Sequence, residues 1–315
     1  GQGGGDEQAA GGGVVHAFCT LAARPSKKSR TRCLASGAAW VMAEIMDSVN
    51  KPWSAESDWS WFLGYTYTDA EEVSGLTSST ASSGWNYNYV FDANEDAEST
   101  SRYEIKDRVV GTLNWKHAFF GDYETRVGLF YEGRSGRPYS YIFYNDANGD
   151  GATTNDLFYV PTGPGDVLFG TLNSSGVFTA NAAMEQAFFD WLAQNPDLAR
   201  YAGSVAPQNA GRADWVNTFD IRINQELPGF FKGHKAELWL DIQNVGNMIN
   251  DDWGHIYDYG FFANQRILGV QGIYNGQYVY NFTNPDAPGV ANGDADGFNT
   301  GVSQWSVQVG FRYSF

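Results

Sequence analysis

Residues 305–315 read WSVQVGFRYSF, and the side chains sort by parity. Trp305, Val307, Val309, Phe311, Tyr313 and Phe315 occupy every second position, with Ser306, Gln308, Gly310, Arg312 and Ser314 between them. Successive side chains of a strand point to opposite faces, so this stretch is one strand with an apolar face and a polar one. The same alternation recurs in 59–67, 109–115, 123–131, 219–223 and 236–242. The chain is therefore expected to be all-β and antiparallel, with about six long strands.

The connections alternate in length. Only FFGD (119–122) separates the second and third of these strands, and only LPGFFKG (227–233) the fourth and fifth, whereas the other three connections are long. Tight turns on one side and long loops on the other are the pattern of a transmembrane β-barrel, and runs of about 10 residues match a tilted spanning strand. Trp and Tyr crowd the strand ends, as in the aromatic girdles of such barrels. The expected fold is thus a barrel segment, with short strands and a helix in extracellular loops.

Composition agrees. The chain holds 11 Trp, 18 Tyr, 21 Phe and 37 Gly, yet no apolar run approaches the roughly 18 to 20 residues of a spanning helix. A formal charge of −16 excludes nucleic acid as an expected partner, because phosphate binding needs clustered Lys and Arg. Both cysteines, Cys19 and Cys33, lie near the N-terminus, so no cysteine metal site or disulfide framework is expected beyond them.

Residues 1–45 differ from the rest. They include GQGGGDEQAAGGG and the basic run RPSKKSRTRC, with neither strand nor helix periodicity, and no packed element is expected there. Residues 46–315 are expected to form the barrel portion.

Within the loops, Asp146, Asn148 and Asp150 with Gly151 spell DANGDG, followed by Asn155 and Asp156. Oxygen ligands at every second position around a glycine open a calcium loop, so Ca2+ is the one expected cofactor. The position where such a loop supplies a bidentate Glu holds Leu157, and Asp156 has to substitute. A weaker cluster, NGDADGFN, offers Asn292, Asp294 and Asp296. Between the two, 181–202 reads helical, with Asn181 as cap and Met184, Phe188 and Leu192 spaced four apart to pack the loop onto the barrel rim. The four histidines have no HExxH spacing and no nucleophile elbow occurs, so an enzyme is not expected. Glu132 and Asp241 are expected to line a polar lumen.

Several segments in order resemble the C-terminal part of TonB-dependent outer-membrane receptors, in the Oar-like (OmpA-related) branch. They are FYEGRSGRPYS (130–140), NDANGDG with NDLFYVP (145–161), ADWVNTFDIRINQELP (213–228), LWLDIQNVGNMINDDWG (238–254) and SVQVGFRYSF (306–315). The resemblance implies a 22-stranded barrel closed by a plug, energised through the periplasmic partner TonB, in the outer membrane of a Gram-negative bacterium. It also implies cargo binding by the long loops. The terminal strand with Phe315 would then be the signal read by the barrel-assembly machinery. Plug, TonB box and secretion signal are not seen here, so a truncated receptor is the leading expectation, its cargo unnamed and its lipid-facing surface in contact with outer-membrane lipid. The alternatives are a small complete porin-like or adhesin-like barrel, and a soluble calcium-dependent all-β binding module.

Overall fold

The computed structural model describes residues 31–35, 38–75, 79–94, 97–153, 155–257, 263–283 and 300–315, with side-chain environments from residue 44 onward. Eight strands form one antiparallel meander in chain order: β1 (Thr31–Ala35), β2 (Ala38–Lys51), β3 (Trp59–Glu72), β4 (Asp107–Phe120), β5 (Tyr123–Arg134), β6 (Val216–Pro228), β7 (Lys235–Gln243) and β8 (Ser306–Ser314). All six expected long strands are present. The stretch before residue 46 corrects the expectation of no packed element, because β2 starts at Ala38 and pairs with β3 from Trp40↔Glu72 to Lys51↔Trp61. The sheet is open: among the described residues β1 and β8 are its edges and do not pair with each other.

Register carries one face across the sheet. Trp61 pairs with Leu113, Leu113 with Leu129, Leu129 with Ile221, Ile221 with Ile242 and Ile242 with Val307. Paired residues of an antiparallel ladder share a face, so this row is an unbroken apolar band from β3 to β8. Aromatic residues flank it. Tyr65, Tyr131 and Phe219 lie toward the long-loop end, and Trp59, Trp115 and Phe119 toward the tight-turn end. Nothing in the described chain covers this face: Leu63 is 48% exposed, Leu113 40% and Val309 66%.

The tight turns fall as expected, at Gly121 and Asp122 between β4 and β5 and at 229–234 between β6 and β7. The three long connections leave the opposite end of the sheet and pack into a cap. The chain's main hydrophobic core is here, not on the sheet: Phe143, Phe158, Phe188, Leu198, Leu268 and Tyr280 are all fully buried. The expected helix spans Ala182–Ala193, and the Asn181 side chain accepts a hydrogen bond from the Met184 backbone N–H at 3.1 Å. Its packing differs from expectation. Phe188 inserts among Phe158, Phe169 and Phe282, at centroid distances of 6.3, 5.1 and 5.3 Å, so the helix lays its apolar stripe on the cap's own core rather than on the rim, with Gln186 and Asp190 left exposed. The expectation placed it on the rim because only a sequence-distant segment, 277–282, supplies the other wall of its pocket.

Polar groups root the cap to the sheet. Fully buried Glu72, at the end of β3, accepts from Ser101 Oγ and from the Arg102 backbone N–H, both at 3.0 Å. Buried Glu104 accepts from the Ala70 backbone N–H at 2.8 Å and from the Arg212 guanidinium. The Asn209 amide donates to the Thr100 carbonyl at 2.7 Å. First and second long connections are thus tied together directly above the sheet.

Because Phe188 has cap core on every side, Phe188→Ala should destabilise the cap by about 3–5 kcal/mol. Limited proteolysis should then cut within the second long connection at much lower protease concentration, while protection of the sheet's tight turns stays unchanged.

Candidate functional site

Two places gather chemistry: the polar face of the sheet, and an acidic turn in the cap. The polar face consists of the residues alternating with the apolar band, and opposite charges meet across its ladders. Arg108 holds Glu132 at 2.6 Å, with Arg134 3.8 Å from the same carboxylate. Arg126 bridges Glu124 at 2.8 Å and Glu226 at 3.1 Å, and Lys116 adds a contact to Glu124 at 3.5 Å. Arg222 meets Asp241 at 3.5 Å, and Arg312 meets Glu237 at 3.8 Å. Each partly exposed pair contributes little by itself, about 0–1 kcal/mol. Together they pair Glu132 and Asp241, the two strand acids singled out in the sequence, with arginine side chains on the polar face.

Trp239 lies between the Arg222 and Arg312 guanidinium groups, 5.9 and 5.8 Å from the ring centroid. Gly310, its ladder partner on β8, makes room for it: a Cβ at 310 would overlap the indole. Sequence reasoning missed this arrangement, although a glycine in the middle of an otherwise alternating strand is a signal of close approach. A half-open cleft of about 550 Å3 lies here, lined by Asn114, Arg126, Arg222 and Asp241 together with apolar residues that include Trp53 and Phe130.

The acidic turn follows the DANGDG sequence. Asp146 folds it by accepting from the Gly149 and Gly151 backbone N–H groups at 2.6 and 2.9 Å. Asn148 Oδ1 accepts from the Asp150 N–H at 2.9 Å, and Asp150 Oδ1 from the Ala152 N–H at 2.8 Å. Gly149 and Gly151 take φ of +82° and +87°, which favours glycine. One carboxylate oxygen each from Asp146, Asp150 and Asp156 lies within 4.8 Å of the others. The structure therefore brings together three of the expected ligands and places Asp156, not position 157, on the site. Leu157 instead packs with Tyr89 and Ile142 in a small apolar cluster.

The floor of this site is buried and incompletely bonded. Asp156 is 1% exposed and Asn155 fully buried, and Oδ1 of each has no hydrogen-bond partner. Leaving such a group unpaired costs about 1–3 kcal/mol. Burial pushes the Asp156 carboxyl up to about 6, with the Asp150 and Asp146 carboxylates raising it further and the Ala147 N–H, which donates to it, opposing the rise. Among the described residues no Lys or Arg pairs with the three carboxylates. The weaker cluster at Asn292, Asp294 and Asp296 lies outside the described residues.

In the terminal strand, Val307, Val309, Phe311 and Tyr313 share the apolar face through their pairing with Ile242, Leu240, Leu238 and Ala236. Tyr313 also closes the β6–β7 turn: its hydroxyl accepts from the Phe230 N–H at 3.1 Å and lies 2.9 Å from His234 Nδ1. Phe315 is almost wholly exposed, and Trp305, just before β8, is half exposed.

No protein-family model, curated protein or solved structure matches this chain.

Gly310 and Gly111 both sit inside strands, but the nearest atom to a Cβ at 111 is 3.8 Å away. Gly310→Ala should therefore lower stability by about 1–3 kcal/mol through overpacking against Trp239. Gly111→Ala should be near neutral, and thermal midpoints of the two variants would compare them.

Proposed function

We propose that the described strands form part of the wall of a transmembrane β-barrel in the outer membrane of a Gram-negative bacterium, and that this barrel serves passive binding and uptake of an extracellular solute rather than catalysis. The observation that carries this reading is the inversion of burial. The sheet leaves a continuous apolar band uncovered on one face, while its opposite face holds arginine–carboxylate pairs beside a cleft. In water such a band is costly, at about 25 cal/mol per Å2 of apolar surface. In lipid it is the stable arrangement, and β2 to β8, at 9 to 14 residues, are as long as or longer than the roughly 9 to 11 residues of a tilted spanning strand.

Direction follows from the connections. Tight turns suit the periplasmic side, and the cap built from the long connections suits the outside, where it would meet solute first. The order of segments resembling TonB-dependent receptors of the Oar-like branch supports uptake energised through TonB by way of a plug. The terminal aromatic strand supports insertion by the barrel-assembly machinery. A second reading draws on the strand count, since eight strands is also about the smallest closed transmembrane barrel. There the polypeptide would act by itself as a porin-like or adhesin-like barrel, with β1 pairing with β8.

Substitutions on adjacent residues of opposite faces test the membrane reading. Leu113→Arg should cost about 2–4 kcal/mol when the chain is folded into lipid vesicles, and Thr112→Arg, facing the cleft, close to nothing. Heat-modifiable migration on gels reads both, and full solubility of the unsubstituted chain without detergent would defeat the proposal. To separate the two readings, cysteines placed one at a time along β8 in a Cys19→Ser background should form a disulfide with native Cys33 on β1 only if the small barrel closes on itself.

A further inference from the structure

We propose that the turn at 146–151, together with Asn155 and Asp156, binds a single calcium ion that fastens the three long connections of the cap to one another. The inference does not rest on where the sheet resides, because the site lies wholly within the cap.

The donor set chooses the ion. Asp146, Asn148, Asp150, Asn155 and Asp156 offer only oxygens besides their amide nitrogens, and a hard cation prefers such ligands. Two oxygens on one calcium, each at 2.3–2.6 Å, can be at most roughly 5 Å apart. The three carboxylate oxygens already lie within 4.8 Å of one another, so they can share an ion with little movement. A cage of several protein carboxylates suits calcium, whereas magnesium keeps most of its water shell.

An acidic turn alone would not carry this inference, since Asp and Asn commonly shape solvated loops. The independent observation is Asn155. It is fully buried and its amide nitrogen lies 3.2 Å from Asp150 Oδ2, which sets the amide head at the cluster, yet its Oδ1 has no hydrogen-bond partner. The buried Asp156 Oδ1 has none either. A cation here gives both atoms the partner they lack.

Position explains the consequence. Asn148 donates to the Phe91 carbonyl at 3.1 Å, and Val90 exchanges hydrogen bonds with Asn155 and Leu157, which joins the first connection to the second. Tyr278 donates to the Ala147 carbonyl at 3.2 Å, and Asn145 bonds the Val270 backbone in both directions, which joins the third. The ligand residues are interleaved with these ties, so the ion and the ties hold the same backbone.

The full chain, stripped with chelator and kept in detergent, provides the test. Terbium should bind with a stoichiometry near one and luminesce on tyrosine excitation through Tyr278, and calcium should displace it. Asp150→Asn and Asp156→Asn, which preserve shape, should each weaken calcium affinity at least tenfold by calorimetry. Asp190→Asn on the exposed helix surface should not. Calcium should also slow proteolysis in 79–94 and in 263–283, not only within the turn. Absence of terbium luminescence, affinity unchanged by both variants, or equal protection by magnesium would overturn the site. Calcium binding without protection of the first and third connections would overturn the fastening role.

Discussion

Everything in this chain depends on the register of its ladders. The hydrogen bonds of the successive ladders from β2 through β8 keep odd-numbered residues of β3 opposite odd-numbered residues of β4, and so on until Ile242 meets Val307. A slip of one residue at any pairing would turn every side chain of that strand to the other face. The slipped strand would place Arg126 or Arg222 in the apolar band and Leu129 or Ile221 on the polar face. The arginine–carboxylate pairs across β5, β6 and β7 act against such a slip. They contribute more to choosing the register than to stability, since pairs this exposed are individually weak.

A second constraint divides the molecule. The sheet has no packed interior of its own, and its apolar face is satisfied only by something outside the described chain. The cap, in contrast, buries aromatic rings against one another in the ordinary manner of a folded domain, with Phe143, Phe158 and Tyr280 at centroid separations of 5.0 to 5.8 Å. Two parts of one polypeptide thus treat apolar surface in two different ways, and the buried carboxylates Glu72 and Glu104 mark where the sheet gives way to the cap.

How far this was legible in the sequence follows the same division. The long strands from β3 to β8 could be read because period-two alternation is local, and the tight turns because Gly121 and the stretch 229–234 interrupt it. β2 escaped notice because apolar residues occur at both parities, Trp40, Met42 and Met46 against Val41, Ile45 and Val49, with Asp47 among the latter. The acidic turn was visible as DANGDG, and Asp156 takes the place that Leu157 vacates. Its ties to Val90, Phe91 and Tyr278 were not visible, because they join segments more than fifty residues apart. The joint formed by Glu72, Arg102, Glu104 and Arg212 was hidden for the same reason: no linear spacing announces a pairing made only once the connections have folded over the sheet.

That joint has an evolutionary consequence. Since the cap's core contacts are made almost entirely within the cap, a substitution among its aromatic residues is judged by its neighbours there and leaves the ladders beneath unaffected. Lengthening or exchanging the first or second long connection requires only that its ends keep their bonds to the buried Glu72 and Glu104. Descendants of such a chain can therefore vary the cap while inheriting the sheet unchanged, with the slowest-changing positions expected at the seam between them.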